Sequence, residues 1–323
     1  MPRHKGFLAA AAITALAVLA AASLFVGKYP LTLSGILSGE EMQVRVFWTL
    51  RFSRTLLGVA GGFCLGVTGF VFQTVFRNPL ASPDIIGVAS GASAGAAFGI
   101  LFLSGAAAVT LAAFGGALGA VVLCLALARL DPSGKNSTIV LSGIAVHALA
   151  QTVLMALKLT ADPEKQLASI EYWIMGSLNG VSLSSMGSAL LIIPLSCLGL
   201  CLLHRQTLLL ALEESEARML GAAVGRLRLG ILLLATLGVA ATISLTGLIS
   251  FVGLLAPHAA RLLTRDNRTG TLLLSGLLGG CILTGADLLA RSLGPTELPV
   301  SLFTSLLGAP FLLWLVFKGG REV

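Results

Sequence analysis

Residues 77–93 read RNPLASPDIIGVASGAS and separate two long apolar segments of the chain. Asn78 and Pro79 form a dipeptide that is typical of turns. Ser82, Pro83 and Asp84 then predict the start of a helix. They supply a hydroxyl N-cap, a proline in the first turn and an acid near the positive end of the helix dipole. The stretch therefore predicts a polar turn that leads directly into an apolar helix.

Three glycines follow this turn at intervals of four residues, at Gly87, Gly91 and Gly95. On a helix this spacing leaves one face without side chains, so a neighbouring backbone can approach closely. The same spacing recurs in other apolar segments, at Gly58/Gly62/Gly66, Gly115/Gly119 and Gly276/Gly280. The glycine pattern predicts closely packed helices.

The composition is that of a membrane protein. Of the 323 residues 56% are hydrophobic and 11% are charged, whereas soluble domains carry about 25% charged residues. No strand-period alternation is visible, so we expect an all-α polytopic protein that forms one domain over residues 1–323. The five cysteines lie in apolar runs and predict no disulfide framework.

Ten apolar segments are candidates for membrane spans, which need about 20 residues each. They lie at 7–27, 55–76, 85–103, 106–128, 138–157, 186–203, 229–249, 250–263, 271–290 and 301–317. The eighth is too short to cross straight unless protein rather than lipid surrounds it.

The distribution of basic residues favours ten spans with both termini in the cytoplasm. That arrangement places 14 lysines and arginines inside and 7 outside. If the eighth segment does not cross, the distribution becomes 10 inside and 11 outside. Only the first arrangement shows the excess of basic residues expected on the cytoplasmic side, and this bias accounts for the net charge of +7 without any nucleic acid.

The residues predict no catalytic, cofactor or metal site. The GxxxxGK[ST] phosphate loop and HExxH are both absent. Asp287 is the one acid deep in a predicted span, and Arg291 lies one helical turn further on, so a local ion pair is favoured over a substrate site. For His147, packing or a hydrogen bond is favoured over haem or metal ligation.

The longest cytoplasmic connection, at about 205–228, contains LEESEARMLG and predicts a short charged helix. Glu214 and Arg218 are four residues apart and can pair. Ala217 and Leu220 give the helix an apolar side, which could dock into a groove of a partner. The alternative is a solvated loop.

The segment GLLAPHAAR contains a proline, Pro257, that predicts a helix break near the membrane face. His258 and Arg261 share one side of this segment, and the alternative is an ordinary span end.

Two arginines precede the second span, Arg51 and Arg54, and Arg291 ends the ninth. Arginines on the outer side oppose the positive-inside bias, so they indicate either a docking surface for an acidic partner or snorkelling at the interface.

An ordered set of motifs resembles the bacterial ABC importer permeases for iron–siderophores, haem and cobalamin. The motifs are R-x-x-R-T-L (51–56), R-N-P-L-A-x-P-D-x-x-G-V-x-x-G-A (77–92), Y-W-x-x-G-S-L (172–178), E-x-x-A-R-x-L-G (214–221), G-L-x-x-P-H-x-x-R (253–261), A-D (286–287) and E-L-P-V…G-A-P-F (297–311). Together they cover almost the whole chain. Two residues depart from the family pattern, because Glu213 and Ser301 stand where glycine is usual.

The resemblance implies a ten-helix, non-catalytic subunit of the bacterial inner membrane. It would pair with a second permease, identical or related, above two ATPase subunits that bind ATP and Mg and below a substrate-binding protein. The implied residues are Arg51, Arg54 and Arg291 for docking of the binding protein; Glu213, Glu214, Ala217, Arg218, Leu220 and Gly221 for ATPase coupling; Asn78, Leu80, Asn136 and Ser137 for the cytoplasmic gate; and Pro79, Pro83, Gly87, Gly91, Pro257, His258, Arg261 and Asp287 as structural motif residues.

The function that follows is ATP-driven import of an iron–siderophore-type chelate by alternating access. Haem and cobalamin are the alternative cargoes. A secondary transporter coupled to an ion gradient is less favoured, because such proteins usually carry more acids inside the membrane.

Overall fold

The computed structural model describes residues 2–131, 136–293 and 296–319, and every regular element in these ranges is helical. The ten longest helices of the described residues are α1 (Pro2–Phe25), α2 (Ser53–Val75), α3 (Val88–Phe102), α4 (Ala106–Ala128), α5 (Asn136–Thr160), α6 (Ala189–Leu202), α7 (Val224–Thr246), α8 (Val252–Thr264), α9 (Thr269–Ser292) and α10 (Val300–Gly319). Shorter helices lie at Leu33–Leu37, Glu41–Arg45, Pro83–Ile86, Gln166–Met175, Leu183–Met186, His204–Leu209 and Glu214–Met219.

Six helical stretches in the described ranges are long and apolar enough to cross a membrane. They are Gly6–Phe25, Glu41–Val75, Ala106–Ala128, Ser137–Thr160, Val224–Thr246 and Thr269–Ser292. Shorter apolar helices at Val88–Phe102, Ala189–Leu202 and Val300–Leu315 accompany them. The all-α, multi-pass class predicted from composition is confirmed.

The centre of the bundle is the antiparallel contact of α2 with α9. At Gly62 an added Cβ would lie 2.5 Å from the carbonyl oxygen of Gly279, and at Gly66 it would collide with the backbone of Ser275. The two backbones therefore touch without side chains between them, as the spacing of the glycines predicted. We call the end of the bundle at which α2 begins the Arg54 end, and the opposite end the Leu220 end.

A second glycine contact joins α3 to α4. Gly91 and Gly95 face the backbone of α4 at Gly116 and Ala112. The prediction for Gly115 and Gly119 is wrong, because a Cβ at either would meet nothing within 4 Å. Gly116 is the glycine of α4 that makes the close contact.

The entry into α3 differs from the predicted helix start. Pro83–Ile86 form a single 3-10 turn, which Ser82 does not cap with its side chain. The turn ends at Gly87 with φ 83°, a left-handed conformation that favours glycine, and α3 begins one residue later. Gly87 therefore forms the junction between two helical segments and is not part of the glycine face of α3.

The helix of the eighth predicted span is preceded by a non-helical segment. Residues 247–251 are non-helical and run along the protein interior before α8 begins. Neighbouring residues donate hydrogen bonds to the carbonyl oxygens in and next to this segment. Ser177 N donates to Thr246 O (2.6 Å), and Ser301 Oγ donates to Leu248 O (2.5 Å). Such irregular backbone is tolerated at membrane depth only when protein covers it.

Three further details differ from expectation. Pro257 lies inside α8 and does not end it. The helix that leads into α2 begins at Glu41, well before the predicted span, and passes through a π-helical stretch at Val46–Phe52. The short helix Gln166–Met175, which the hydropathy pattern did not predict, packs against α3 and α10.

Gly62→Ala should destabilise the fold, whereas Gly119→Ala should not. The added methyl at Gly62 meets backbone that has no room to move, and such overpacking costs about 1–3 kcal/mol. At Gly119 the methyl points into open space and alanine favours the helix. Thermal unfolding of the two variants in detergent tests this, and equal midpoints would contradict the proposed backbone contact.

Candidate functional site

A buried charge cluster lies at the Arg54 end, where α2 meets the end of α9. Arg54 Nε lies 2.8 Å from Asp287 Oδ1, and Arg54 Nη1 lies 2.9 Å from Glu297 Oε2. Arg291 Nε lies 3.6 Å from Asp287 Oδ2, so the predicted pair of these two residues is confirmed. The carboxylate of Asp287 thus bridges two arginines on different helices.

Hydrogen bonds tie the cluster to α1. Arg291 Nη2 donates to Ser23 Oγ, which is 2.7 Å from Thr55 Oγ1 on α2. Ser23 had no distinguishing signal in the sequence. Glu297 did have one, since it opens the E-L-P-V motif, but its partner is more than two hundred residues away in the chain.

The third arginine, Arg51, lies in the π-helical stretch before α2. Its guanidinium donates to the carbonyls of Val26 and Tyr29, the latter at 2.9 Å. These bonds hold the segment after α1 against the start of α2. Arg51 therefore holds this segment through neutral backbone carbonyl oxygens.

The three arginines are buried and do not form an exposed basic surface. Arg51, Arg54 and Arg291 are only 3–6% exposed. They line a cavity of about 330 Å³, to which Glu297 and Asn179 also contribute. Two of the buried donors, Arg54 Nη2 and Arg291 Nη1, have no hydrogen-bond partner among the residues that the structure describes. The docking role predicted for the arginines stays a prediction, and any acceptor would have to enter this cavity.

A short helix, Glu214–Met219, lies at the Leu220 end. It begins with a capping box in which the side chains of Glu213 and Glu216 bind each other's backbone amides. Glu214 pairs with Arg218 at 2.5 Å, as predicted, and lies 3.9 Å from Arg228 at the start of α7. These contacts orient the helix on the bundle.

The apolar side of this helix differs from the prediction. Ala217 is 1% exposed and packs inside the chain, so it is not available to a partner. Leu220 is 65% exposed and Met219 is 80% exposed, and together they form the available apolar surface. Gly221 ends the helix with φ 83°, which favours glycine. Glu213 has φ −60° and ψ 148°, an ordinary extended conformation that does not require glycine.

The predicted turn between α2 and α3 is confirmed. Leu80 N donates to Asn78 Oδ1 at 2.9 Å, and Ala81 N donates to Asn78 O at 3.0 Å. Pro79 and Leu80 are exposed. Ser137 is exposed in the first turn of α5, and the side chain of Asn136 lies outside the described residues. A gate at these positions stays a prediction.

Arg261 on α8 reaches the end of α2. It donates from Nε to Asn267 Oδ1 at 2.8 Å and from Nη2 to Thr74 Oγ1 at 3.1 Å, and its guanidinium lies 4.4 Å from the centre of the Phe70 ring. His258 packs edge-on against Phe311 of α10. These contacts join three helices, which fits a structural position.

Among the described residues no group of three or more His, Cys, Asp or Glu side chains is placed to hold a metal ion. The arrangement instead combines a multi-pass helical bundle, a buried charge cluster at one end and an exposed short helix at the other. This architecture is that of a multi-pass helical membrane protein.

The comparisons identify the family. The FecCD transport family matches residues 15–318, and the chain belongs to it. The chain is 38% identical to the cobalamin import system permease protein BtuC of Halobacterium salinarum, over 86% of this chain and 74% of that one. It is 37% identical to the achromobactin transport system permease protein CbrC of Dickeya dadantii, over 97% of this chain and 91% of that one.

A solved structure described as an inward-facing conformation of a metal-chelate type ABC transporter superposes with a TM-score of 0.84. Its sequence is 31% identical, and the alignment covers 97% of this chain and 99% of that one. The protein is thus a permease of the metal-chelate importer class and a multi-pass protein of the inner membrane.

Asp287→Asn should destabilise the protein strongly. The substitution leaves two buried arginines without their shared carboxylate, and breaking a buried ion pair in this way costs about 3–5 kcal/mol. Asp162→Asn, at an exposed turn where the side-chain oxygen accepts backbone N–H groups, is the matched control. Thermal unfolding in detergent distinguishes them, and equal midpoints would show that the cluster does not stabilise the fold.

Proposed function

We propose that this chain is the membrane-spanning subunit of an ATP-driven importer that moves an iron–siderophore-type chelate into the cell by alternating access. The observation that carries the proposal is the exposed Met219–Leu220 surface on an anchored helix at one end of the bundle. An importer has an ATPase subunit whose groove would cover this apolar surface, whereas a stand-alone transporter has no such partner.

Ten spans with both termini in the cytoplasm are part of the proposal. The excess of basic residues on one side supports this arrangement, and α8 with the covered segment 247–251 supplies the short eighth crossing. The Leu220 end is then cytoplasmic and the Arg54 end external. Single cysteines at Asp266 and Thr296 should be labelled from opposite sides of the membrane, and labelling from the same side would contradict the topology.

The second permease would cover apolar surface that the single chain exposes. On α5, Leu141 and Ile144 are exposed, and on α10, Leu306 and Leu313 are exposed. Lipid can cover part of this surface. A transport pathway between two permease subunits, however, needs each subunit to contribute one such surface. Whether the second permease is identical to this chain or related to it does not affect the argument.

Coupling to the ATPase would depend on Leu220 and Met219. In Leu220→Asp a charge replaces an apolar contact, so the variant should lose its ATPase subunits on purification and lose ATP-dependent uptake in proteoliposomes. Leu37→Asp introduces the same change at an exposed residue of the Arg54 end and is the control. Because Leu220 is exposed, the variant should fold normally.

Two outcomes would contradict this assignment. Normal ATPase recovery and transport in Leu220→Asp would exclude the helix from coupling. Uptake of the ferric chelate by the wild-type chain without ATPase subunits, driven by an ion gradient alone, would exclude the importer class.

Docking of a substrate-binding protein is proposed at the Arg54 end. The charge cluster holds three arginines against two carboxylates. Some guanidinium N–H groups in its cavity have no hydrogen-bond partner in the described part of the chain. Glu297 is its most accessible member, with 27% of its side chain exposed. We propose that a carboxylate of the binding protein takes the place of Glu297 at Arg54, since arginine's planar fork accepts either partner.

Glu297→Gln should therefore tighten docking. Removing Glu297 as a competitor leaves Arg54 free to form an ion pair with the binding protein. A partly exposed pair is worth about 0.2–1 kcal/mol, which lowers Kd by about 1.4- to fivefold. Affinity for the binding protein in nanodiscs at two salt concentrations is the measurement, with Glu41→Gln as an exposed control. Unchanged or weaker binding would contradict the exchange.

The cargo follows from the family rather than from a ligand set in the bundle. Iron–siderophore chelates are favoured, and the relative named for achromobactin supports this choice. Haem and cobalamin remain the alternative cargoes, and the relative named for cobalamin import supports the latter. The exposed turn at Asn78–Leu80 and the start of α5 are the proposed cytoplasmic gate.

A further inference from the structure

Asp84 lies at the depth of the middle of the bundle, although the sequence places it in a turn. It lines one cavity with Leu65 of α2 and with Val239 of α7, both of which are far from the ends of their helices. The next turn of the chain confirms the depth, because Gly87 packs against Val146, near the middle of α5. Asp287 is therefore not the one acid at membrane depth.

The carboxylate of Asp84 belongs to no ion pair or side-chain hydrogen bond found among the described residues, and the residue is exposed on the single chain. Its cavity, of about 220 Å³, is also lined by Ser82, Ser250 and Phe251. Phe251 has φ 66° and packs against Gly308 of α10. Asp84 thus lies on the face of the bundle that α5 bounds on one side and α10 on the other.

An ionised carboxylate at this depth cannot face lipid without a large cost, so such groups face water-filled cavities or partners. Asp287 meets this requirement with two arginines, whereas the ionisable group close to Asp84 is His147 of α5. We propose that Asp84 lines a water-filled stretch of the transport pathway and, through its negative charge, favours chelates that are cationic or carry N–H and O–H donors over anionic chelates. This inference rests on the proposed transport function.

The test measures water access and charge at the site and needs no cargo. Ser250→Cys introduces a thiol into the Asp84 cavity of the full transport complex. Its rate of reaction is compared for a cationic trimethylammonium and an anionic sulfonate methanethiosulfonate reagent. The wild-type chain, whose cysteines all lie in apolar helices, gives the background.

We expect the thiol to react faster with the cationic reagent. Adding Asp84→Asn should lower the ratio of the cationic to the anionic reaction rate by about tenfold. In water, one charge about 6 Å away attracts the cationic reagent and repels the anionic one by about 0.7 kcal/mol each, and the two effects together give this factor. Adding Glu41→Gln, an acid outside this cavity, should leave the ratio unchanged. No reaction with either reagent would show that water does not reach the site, and an unchanged ratio in Asp84→Asn would show that Asp84 sets no charge there.

Transport itself separates this inference from the proposed function. A ferric trihydroxamate with a free amine and its N-acetylated neutral form differ by one charge at nearly equal size. Where the binding protein delivers both, Asp84→Asn should reduce the preference for the cation and retain ATP-dependent uptake of the neutral chelate. Loss of uptake of both chelates would indicate a structural role for Asp84 and would contradict the proposed charge selectivity. The reaction rates of the two reagents are measured without transport, so a failure of the proposed transport function would not change them.

Discussion

The close contact of α2 with its neighbours is the constraint on which the rest of the bundle depends. Gly62 and Gly66 bring α2 against the backbone of α9, and Gly69 brings it against the backbone of α8 at Gly253. Hydrophobic burial does not drive helices together inside a membrane, so this packing and the polar bonds around it must do so. Because the same helix begins beside the charge cluster and ends beside Arg261, its position fixes both ends.

The sequence predicted the helical class and the glycine faces of α2 and α3 because these depend on local periodicity. In α9 the predicted Gly276 and Gly280 instead face the side chains of Phe63 and Leu16, and Gly279 meets the backbone of Gly62. It failed at Gly115 and Gly119 because periodicity defines a face of a helix but not the neighbour that covers it. It also failed at the start of α3, where the serine and proline indicated a cap but the left-handed turn at Gly87 decided where the helix begins.

Motifs and the charge distribution selected the candidate site residues, but the sequence could not predict how deeply each of them is buried. Arg54 was expected on a surface, but Glu297 returns to it from a distant part of the chain and covers it. The Glu214–Met219 helix shows the same limit at a smaller scale. Ala217 and Leu220 are three residues apart, yet Ala217 is buried, whereas Met219 and Leu220 are exposed where the chain turns at Gly221.

The two ends of the bundle are connected through the same helices. At the Leu220 end, Arg77 beside α2 donates to Leu210 O at 3.4 Å, and Arg228 of α7 lies near Glu214. At the Arg54 end, α2 carries the charge cluster, and α7 ends where Ser177 binds Thr246 O. Closely packed interiors do not deform continuously. A displacement of the Glu214 helix should therefore move α2 and α7 as whole elements. The elements that can change position relative to them are those with much exposed surface, which are α5, α10 and the turn at Asp84.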